Sequence, residues 1–209
     1  MKVLIKGGQG EIVEKKSRFI ANVYKIESYD EALRYIEETK KKYWDARHNC
    51  YALSVGEILR FSDDGEPQST AGKPMLDILT ANELTGCLVV VTRYFGGTLL
   101  GTGGLIRAYQ ESTKAGLDNS VIIEKMYGME YRFELDYAFV GKLQYMASEN
   151  EYYIVESLYA GNVTFTVIVE KQKIKQFEDA MVELTGGKIE FMYRKEAEFG
   201  VHKGEIVKM

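Results

Sequence analysis

Cysteine, proline and histidine are scarce in this chain, with two of each among its 209 residues. Two cysteines exclude a disulfide framework, and Cys50 and Cys87 both lie in apolar, strand-like surroundings, so we predict buried, reduced thiols. Long apolar runs are also lacking, because the longest, residues 87–91, is far too short to span a membrane. The first residues show no signal-peptide core. These absences predict a cytoplasmic protein with no membrane partner.

The few histidines and the weak charge imbalance exclude two further classes of site. His48 and His202 are the only histidines, so a histidine-based zinc site lacks ligands, and we expect neither a metal nor a cofactor. The net charge is −4, with −1 from residues 1–134 (18 basic, 19 acidic) and −3 from the remainder (9 basic, 12 acidic). Neither half is therefore a basic module, which leaves a local basic patch as the only electrostatic route to nucleic acid.

Strand and helix patterns alternate in the first part of the chain. Ser28 is the predicted N-cap of a helix ending near Tyr43, with Glu31 completing a capping box. Further helices are predicted at about 72–83 and 104–117. Strands are predicted at 15–26, 48–55, 58–61, within the apolar run around 87–91, and at 121–124.

The pattern restarts after residue 127 with the order β-α-β-β-α-β, which is typical of the ferredoxin-like fold. Strands are predicted at 129–135, 152–159, 163–169 and 188–197, helices at 137–150 and 174–185, and a loose tail at 201–209. Gly186 and Gly187 should close the second helix. The sequence therefore predicts an α+β protein of two domains, residues 1–130 and 131–209.

A glycine-rich turn joins an apolar strand to a helix between Arg93 and Arg107. A Walker loop is excluded because Thr102 stands where its lysine belongs, and the dinucleotide fingerprint lacks its third glycine. Backbone N–H groups at the helix opening, with the two arginines, can hold a phosphate. A tight turn that packs the helix on the sheet is the alternative.

A polar loop at residues 62–74 and the segment around His48 hold the remaining candidate groups. Asp63, Asp64 and Glu66 surround a glycine, so they form either a Mg²⁺ site or a solvated acidic turn. Ser69 or Thr70 is expected to cap the helix that follows.

His48, next to Arg47 and close to Asp45, is either a general base or a hydrogen-bonded structural residue. Tyr94 and Phe95 beside Arg93 can stack on nucleobases or pack in the core.

The signature of the IMPACT family, in its bacterial YigZ-like branch, is similar to four segments of this chain between residues 15 and 117. They are His48-Asn49-Cys50, Asp64-Gly65-Glu66-Pro67, Thr70-Ala71-Gly72-Lys73-Pro74 and the glycine-rich stretch from Arg93 to Tyr109. One departure is Ser69, where family members commonly carry glycine, and it is expected to stiffen the loop.

The resemblance implies a first domain folded like the second domain of a small-subunit ribosomal protein, in two α/β layers. It also implies a ferredoxin-like second domain similar to one of elongation factor G. Eukaryotic members act in translational control through an additional N-terminal domain, so their partner is not carried over. For bacterial members the resemblance implies nucleic-acid or ribosome-linked binding without established catalysis.

Our leading hypothesis is a non-enzymatic cytoplasmic regulator, linked to translational control, that binds RNA or a translation component. Its predicted binding residues are Arg47, His48, Asp64, Glu66, Thr70, Gly72, Arg93, Tyr94, Gly96, Gly97, Gly103, Gly104 and Arg107. The alternative is a hydrolase acting on a phosphorylated or peptide substrate, with His48 as base and Asp64 or Glu66 holding a metal or orienting water. A protein-interaction scaffold is the third possible function. No nucleophile–base pair is evident, which favours a role without catalysis.

Overall fold

Two units, each built around a five-stranded antiparallel sheet, make up this computed structural model, which describes residues 1–209. The first unit is Met1–Glu124 and the second is Lys125–Met209. The junction precedes the boundary predicted near residue 130, because the first strand of the second unit begins at Met126. The α+β class and the two-domain organisation are confirmed. No helix is long and apolar enough to cross a membrane.

The first unit has eight strands: β1 (Lys2–Lys6), β2 (Gln9–Glu14), β3 (Ser17–Lys25), β4 (His48–Val55), β5 (Ile58–Ser62), β6 (Leu84–Thr85), β7 (Cys87–Tyr94) and β8 (Val121–Glu124). They form a main sheet of strand order β2-β3-β7-β4-β5 and a small sheet of order β6-β1-β8. The bounds of β4 and β8 are those predicted, whereas the short, charged strands β1 and β2 were not foreseen. Strand β7 is central because its apolar residues are buried on both faces of the sheet.

Three helices cover the main sheet of the first unit: α1 (Tyr29–Lys42), α2 (Gly72–Ala81) and α3 (Gly101–Asp118). The predicted cap of α1 is confirmed, since Ser28 Oγ accepts a hydrogen bond from the Glu31 N–H at 3.2 Å. Helices α2 and α3 share a core with Val89 and Val91, while α1 packs with Leu88 and Val90 on the other face. The expected α/β architecture is thus present, with α1 as an additional layer.

The elements of the second unit are β9 (Met126–Leu135), α4 (Tyr137–Asn150), β10 (Tyr153–Tyr159), β11 (Val163–Glu170), α5 (Ile174–Thr185), β12 (Phe191–His202) and β13 (Glu205–Lys208). The strand order is β10-β11-β9-β12-β13, in which the first four strands follow the ferredoxin-like order. An aromatic core lies between the sheet and helices α4 and α5. Gly186 ends α5 in the left-handed conformation, as predicted.

The prediction of a loose tail at residues 201–209 is wrong. Strand β12 continues to His202, and β13 pairs with it as a hairpin. Lys203 and Gly204 make the tight turn, with φ of 51° and 86°. The tail is ordered because β13 extends the sheet and Lys208 reaches a buried carboxylate, that of Glu130.

Glu130 of β9 is the buried charge around which the end of the second unit is organised. Its side chain is 2% exposed and accepts hydrogen bonds from Tyr193 Oη at 2.6 Å and from the Lys208 ammonium. Lys195 Nζ lies 2.9 Å from Glu130 Oε1. Burial raises the pKa of Glu130, but the hydrogen bonds from Lys208, Tyr193 and Lys195 outweigh it and hold the pKa at about 2.

Replacing this carboxyl should destabilise the second unit in a pH-dependent way. The folded pKa lies below the unfolded value, so the stabilisation is complete above about pH 4.3 and is lost as pH falls towards 2. We expect Glu130→Gln to lower the free energy of unfolding by about 2 kcal/mol at pH 7 and to have almost no effect near pH 2. Urea unfolding followed by NMR signals of the β9 amides measures this.

Glu134→Gln is the matched control, because Glu134 lies on the same strand and the same face but is exposed. It should change the free energy of unfolding by less than about 0.5 kcal/mol at any pH. An effect of Glu130→Gln that stays constant from pH 7 to 2 would contradict the assignment.

Candidate functional site

A cleft of about 360 Å³ opens in the first unit where the start of β4 and the end of β7 meet the start of α3. Four predicted binding residues, Arg47, His48, Glu66 and Arg93, line it. The other lining residues are Gly65, Pro67, Phe95, Leu99, Leu100, Gly101, Thr102 and Leu105. The cleft therefore unites three separate motifs of the sequence.

A buried ion pair between Glu66 and Arg93 forms the floor of the cleft. Glu66 Oε1 accepts a hydrogen bond from Arg93 Nη1 at 2.6 Å, with side-chain exposures of 3% and 7%. The same oxygen accepts a second hydrogen bond from Tyr109 Oη at 2.8 Å. Because both charges are removed from water, each depends on the other for compensation.

The predicted role of Arg93, neutralising a ligand phosphate, does not fit this geometry. Its charge is balanced by Glu66, and its guanidinium lies 5.3 Å from the Phe19 ring centroid and 5.7 Å from that of Phe95. Its buried Nε has no hydrogen-bond partner. Arg93 therefore shapes the cleft and supports the ring of Phe95.

His48 sits beside the ion pair and is held by the polar loop. Its Nδ1 lies 2.8 Å from the Asp64 carbonyl oxygen, which makes Nδ1 the protonated nitrogen. Its Nε2 then faces Glu66 Oε1 at 4.0 Å.

Cys50 is free and buried, as predicted, and so is Cys87. Burial raises the pKa of the Cys50 thiol, and Sγ donates to the Asp63 carbonyl at 3.0 Å, so the thiol is not a nucleophile.

The three carboxylates of the polar loop each serve a different part of the fold. Asp63 accepts hydrogen bonds from the N–H groups of Ser69, Ala71 and Gly72 and so caps α2. The prediction that Ser69 or Thr70 caps this helix is therefore wrong. Ser69 instead has a left-handed φ of 61°, a conformation that favours glycine.

Asp64 and Thr70, both predicted to bind a ligand, make internal hydrogen bonds and do not line the cleft. Asp64 accepts from the Asn49 N–H at 2.7 Å and from Lys40 Nζ at 3.2 Å. Thr70 Oγ1 donates to the Pro67 carbonyl at 2.6 Å. With Glu66 in the ion pair, the loop carboxylates are directed to separate partners, and no group of three metal-ligating side chains is present.

The predicted glycines divide into packed and open positions. A Cβ on Gly72 would lie 2.7 Å from the Ser62 carbonyl oxygen, and one on Gly96 would lie 2.1 Å from the Lys16 carbonyl carbon. A Cβ on Gly104 would lie 3.1 Å from Leu100 Cβ. All three glycines therefore serve close packing rather than ligand access. Gly97 has open space around it.

The N-terminus of α3 is exposed and lacks a side-chain cap. The helix begins at Gly101, three residues before the predicted start. Gly101 and Thr102 of its first turn line the cleft, and their N–H groups have no side-chain acceptor. A Cβ on Gly103 would lie 3.6 Å from Arg107 Nη1, which brings that guanidinium over the same turn. Arg107 and Arg47 are both exposed and form no ion pair.

Tyr94 does not belong to the cleft, although it was predicted to stack on a ligand there. Neighbouring residues of a strand point to opposite faces, so Tyr94 lies on the side away from Arg93. Its Oη donates to Asp45 Oδ1 at 2.8 Å. Conversely, Leu99 is 83% exposed in the lining of the cleft and was missed, because the short stretch Thr98-Leu99-Leu100 between glycines gives no periodic signal.

Breaking the floor of the cleft should be costly. Glu66→Gln leaves Arg93 buried without a counter-charge, and we expect the free energy of unfolding to fall by about 3 kcal/mol or more. Asp77→Asn, which breaks the exposed Lys73–Asp77 pair in α2, should change it by less than about 0.5 kcal/mol. Urea unfolding followed by NMR signals of the β7 amides measures both. A loss under about 1 kcal/mol for Glu66→Gln would mean that water reaches Arg93.

Comparison with known proteins covers nearly the whole chain. The Impact N-terminal domain matches residues 15–117, and a domain of unknown function, DUF1949, matches residues 133–188. IMPACT family member YvyE of Bacillus subtilis is 41% identical over 186 residues, covering 88% of this chain and 86% of the relative. IMPACT family member YigZ of Escherichia coli is 32% identical over 196 residues, covering 90% and 96%.

A crystal structure of a hypothetical protein is similar along its length, with 28% identity, 97% of each chain covered and a TM-score of 0.57. The Impact N-terminal match contains the cleft and all of its lining residues. On these similarities, this chain belongs to the IMPACT family.

Proposed function

We propose that this protein is a non-enzymatic regulator linked to translation whose first unit binds RNA. The observation that carries the proposal is the start of α3, where uncapped N–H groups and the Arg107 guanidinium share one exposed turn. Backbone N–H groups at a helix N-terminus and an arginine fork are both suited to a phosphate. In this proposal, one backbone phosphate of the RNA occupies that turn.

The cleft beside this turn supplies complementary contacts for the rest of a nucleotide. Arg47 lines the cleft, is exposed and has no carboxylate partner, so its charge is available to a second phosphate. Phe95 is 42% exposed and offers a ring face on which a base can stack. Arg47 and Arg107 thus take the phosphate-binding role that was predicted for Arg93.

The link to translation rests on membership of the IMPACT family. The resemblance to this family implies a role in translational control for its eukaryotic members. The ligand that we propose is RNA of the translation apparatus, which the protein binds in the cytoplasm. Two further predicted residues, His48 and Glu66, contribute indirectly by lining the cleft.

A hydrolase remains the second candidate because His48 Nε2 faces Glu66 Oε1 at 4.0 Å inside a cleft. The Glu66 carboxylate, however, already accepts hydrogen bonds from Arg93 and Tyr109. A screen of phosphatase and peptidase substrates, repeated with His48→Ala, discriminates the two. Turnover that is abolished by this substitution would favour the hydrolase over our proposal.

Binding of single-stranded RNA should depend strongly on salt and on the two unpaired arginines. With a labelled oligonucleotide of about 12 nucleotides, affinity should fall steeply between about 50 mM and 200 mM salt. Arg47→Ala and Arg107→Ala should each weaken binding several-fold and reduce the salt slope by about 0.7, because each removes one phosphate contact. Fluorescence anisotropy measures both quantities.

Lys142→Ala is the control, because Lys142 is an exposed cation without an ion pair in the second unit. Its affinity and salt slope should equal those of the unmodified protein. An affinity that is constant across the salt range, or unchanged by Arg107→Ala, is incompatible with the proposal.

A further inference from the structure

Trp44 is the only tryptophan of the chain, and it is 82% exposed just after the end of α1. It lies within the segment Lys40-Lys41-Lys42-Tyr43-Trp44-Asp45-Ala46-Arg47, which carries four cations and one carboxylate. The whole chain has a net charge of −4, so this concentration of positive charge runs against the average. We name this surface the Trp44 platform, defined as residues 40–47.

The backbone under the Trp44 platform is held in place by hydrogen bonds. The Tyr43 N–H donates to the Thr39 carbonyl at 3.0 Å, which closes α1, and the Ala46 N–H donates to the Tyr43 carbonyl at 3.0 Å. Tyr43 Oη accepts a hydrogen bond from Gln9 Nε2 at 3.1 Å. Because the turn is fixed, Trp44 is presented to solvent without a large loss of backbone entropy when a ligand binds.

The one carboxylate of the Trp44 platform, that of Asp45, already accepts a hydrogen bond from another part of the first unit. Asp45 Oδ1 accepts the hydrogen bond from Tyr94 Oη, and Lys40 is the one cation of the segment with a carboxylate partner, Asp64. Lys41, Lys42 and Arg47 form no ion pair. Three cations without an ion pair therefore lie within three residues of an exposed tryptophan.

Ordinary structural roles account for only part of this surface. Lysines in the last turn of a helix stabilise its dipole, which explains the three lysines of α1. That effect gives no reason for a fully projecting tryptophan, since an indole ring normally loses much of its exposed area on folding. Cations interleaved with exposed aromatics are the combination that binds single-stranded nucleic acid through phosphate contacts and base stacking.

We infer that the Trp44 platform is a second contact surface for single-stranded RNA, with a base stacked on the indole and phosphates on Lys41 and Lys42. The inference rests on the proposed function for the identity of the ligand, but it uses a different surface. Tyr43 and Trp44 do not line the cleft, and Arg47 is the one residue common to both. In this arrangement one RNA chain extends from the Trp44 platform into the cleft and contacts Arg47 at the point where the two surfaces meet.

The intrinsic fluorescence of the protein tests this directly, because Trp44 is its sole indole. Titration with single-stranded RNA of about 12 nucleotides should quench the emission by roughly half or more, and an RNA duplex of equal length should quench it far less. Vesicles of anionic phospholipid serve as the competing polyanion, since tryptophan and lysine also favour membrane surfaces. Quenching or a blue shift with vesicles but not with RNA would overturn the inference.

Substitutions then measure the contribution of the ring. In anisotropy experiments with labelled RNA, Trp44→Ala should weaken binding between about 5-fold and 150-fold, the effect of losing one base–aromatic stack, while Trp44→Phe should retain most of the affinity. Tyr145→Ala is the matched control, because Tyr145 of α4 is 70% exposed and should leave affinity unchanged.

The outcomes separate the two proposals. If Phe95→Ala weakens RNA binding but Trp44→Ala does not, the cleft stands and the Trp44 platform is refuted. If RNA binds with no salt dependence, or not at all, the proposed function fails and the platform fails with it. Quenching by RNA together with a loss of affinity specific to Trp44→Ala supports the platform.

Discussion

The buried ion pair between Glu66 and Arg93 is the constraint on which the first unit's cleft depends. It connects the polar loop after β5 to the end of β7, and Tyr109 of α3 donates to the same carboxylate oxygen. Three elements that are distant in the sequence are thereby held at one point. The cost of burying two charges is offset only if all of these hydrogen bonds are made together, so the cleft has a rigid floor.

With its floor internally neutral, the cleft takes its electrostatic character from its rim. The unpaired guanidinium groups of Arg47 and Arg107 and the uncapped start of α3 supply positive potential there, while Phe95 and Leu99 supply apolar surface. A net charge of −4 for the chain conceals this local arrangement and also the basic segment at the end of α1. Average charge is thus a poor guide to binding surfaces on a protein of this size.

Much of the fold was predictable because its signals are local. The cap at Ser28, the strand His48–Val55 and the β-α-β-β-α-β order of the second unit all follow from short-range patterns. The hairpin that includes β13 was missed because its stability comes from pairing with β12 and from Lys208, which reaches across to Glu130. In the site, four of the twelve residues that line the cleft could be selected from the sequence, but their partners could not. That Arg93 pairs with Glu66 and Tyr94 turns the other way depends on tertiary contacts and on strand alternation at the end of β7.

The contacts of Glu130 with Lys195 and Lys208 have a consequence for folding during synthesis. Strand β9 is the central strand of its five-stranded sheet and leaves the ribosome before the other four, yet Lys208 follows Glu130 by 78 residues. During synthesis from the N-terminus, the Glu130 carboxylate is therefore present well before Lys195 and Lys208, the cations that pair with it in the folded protein. The second unit acquires its complete set of interactions only after β13 has emerged, so its maturation is delayed relative to that of the first.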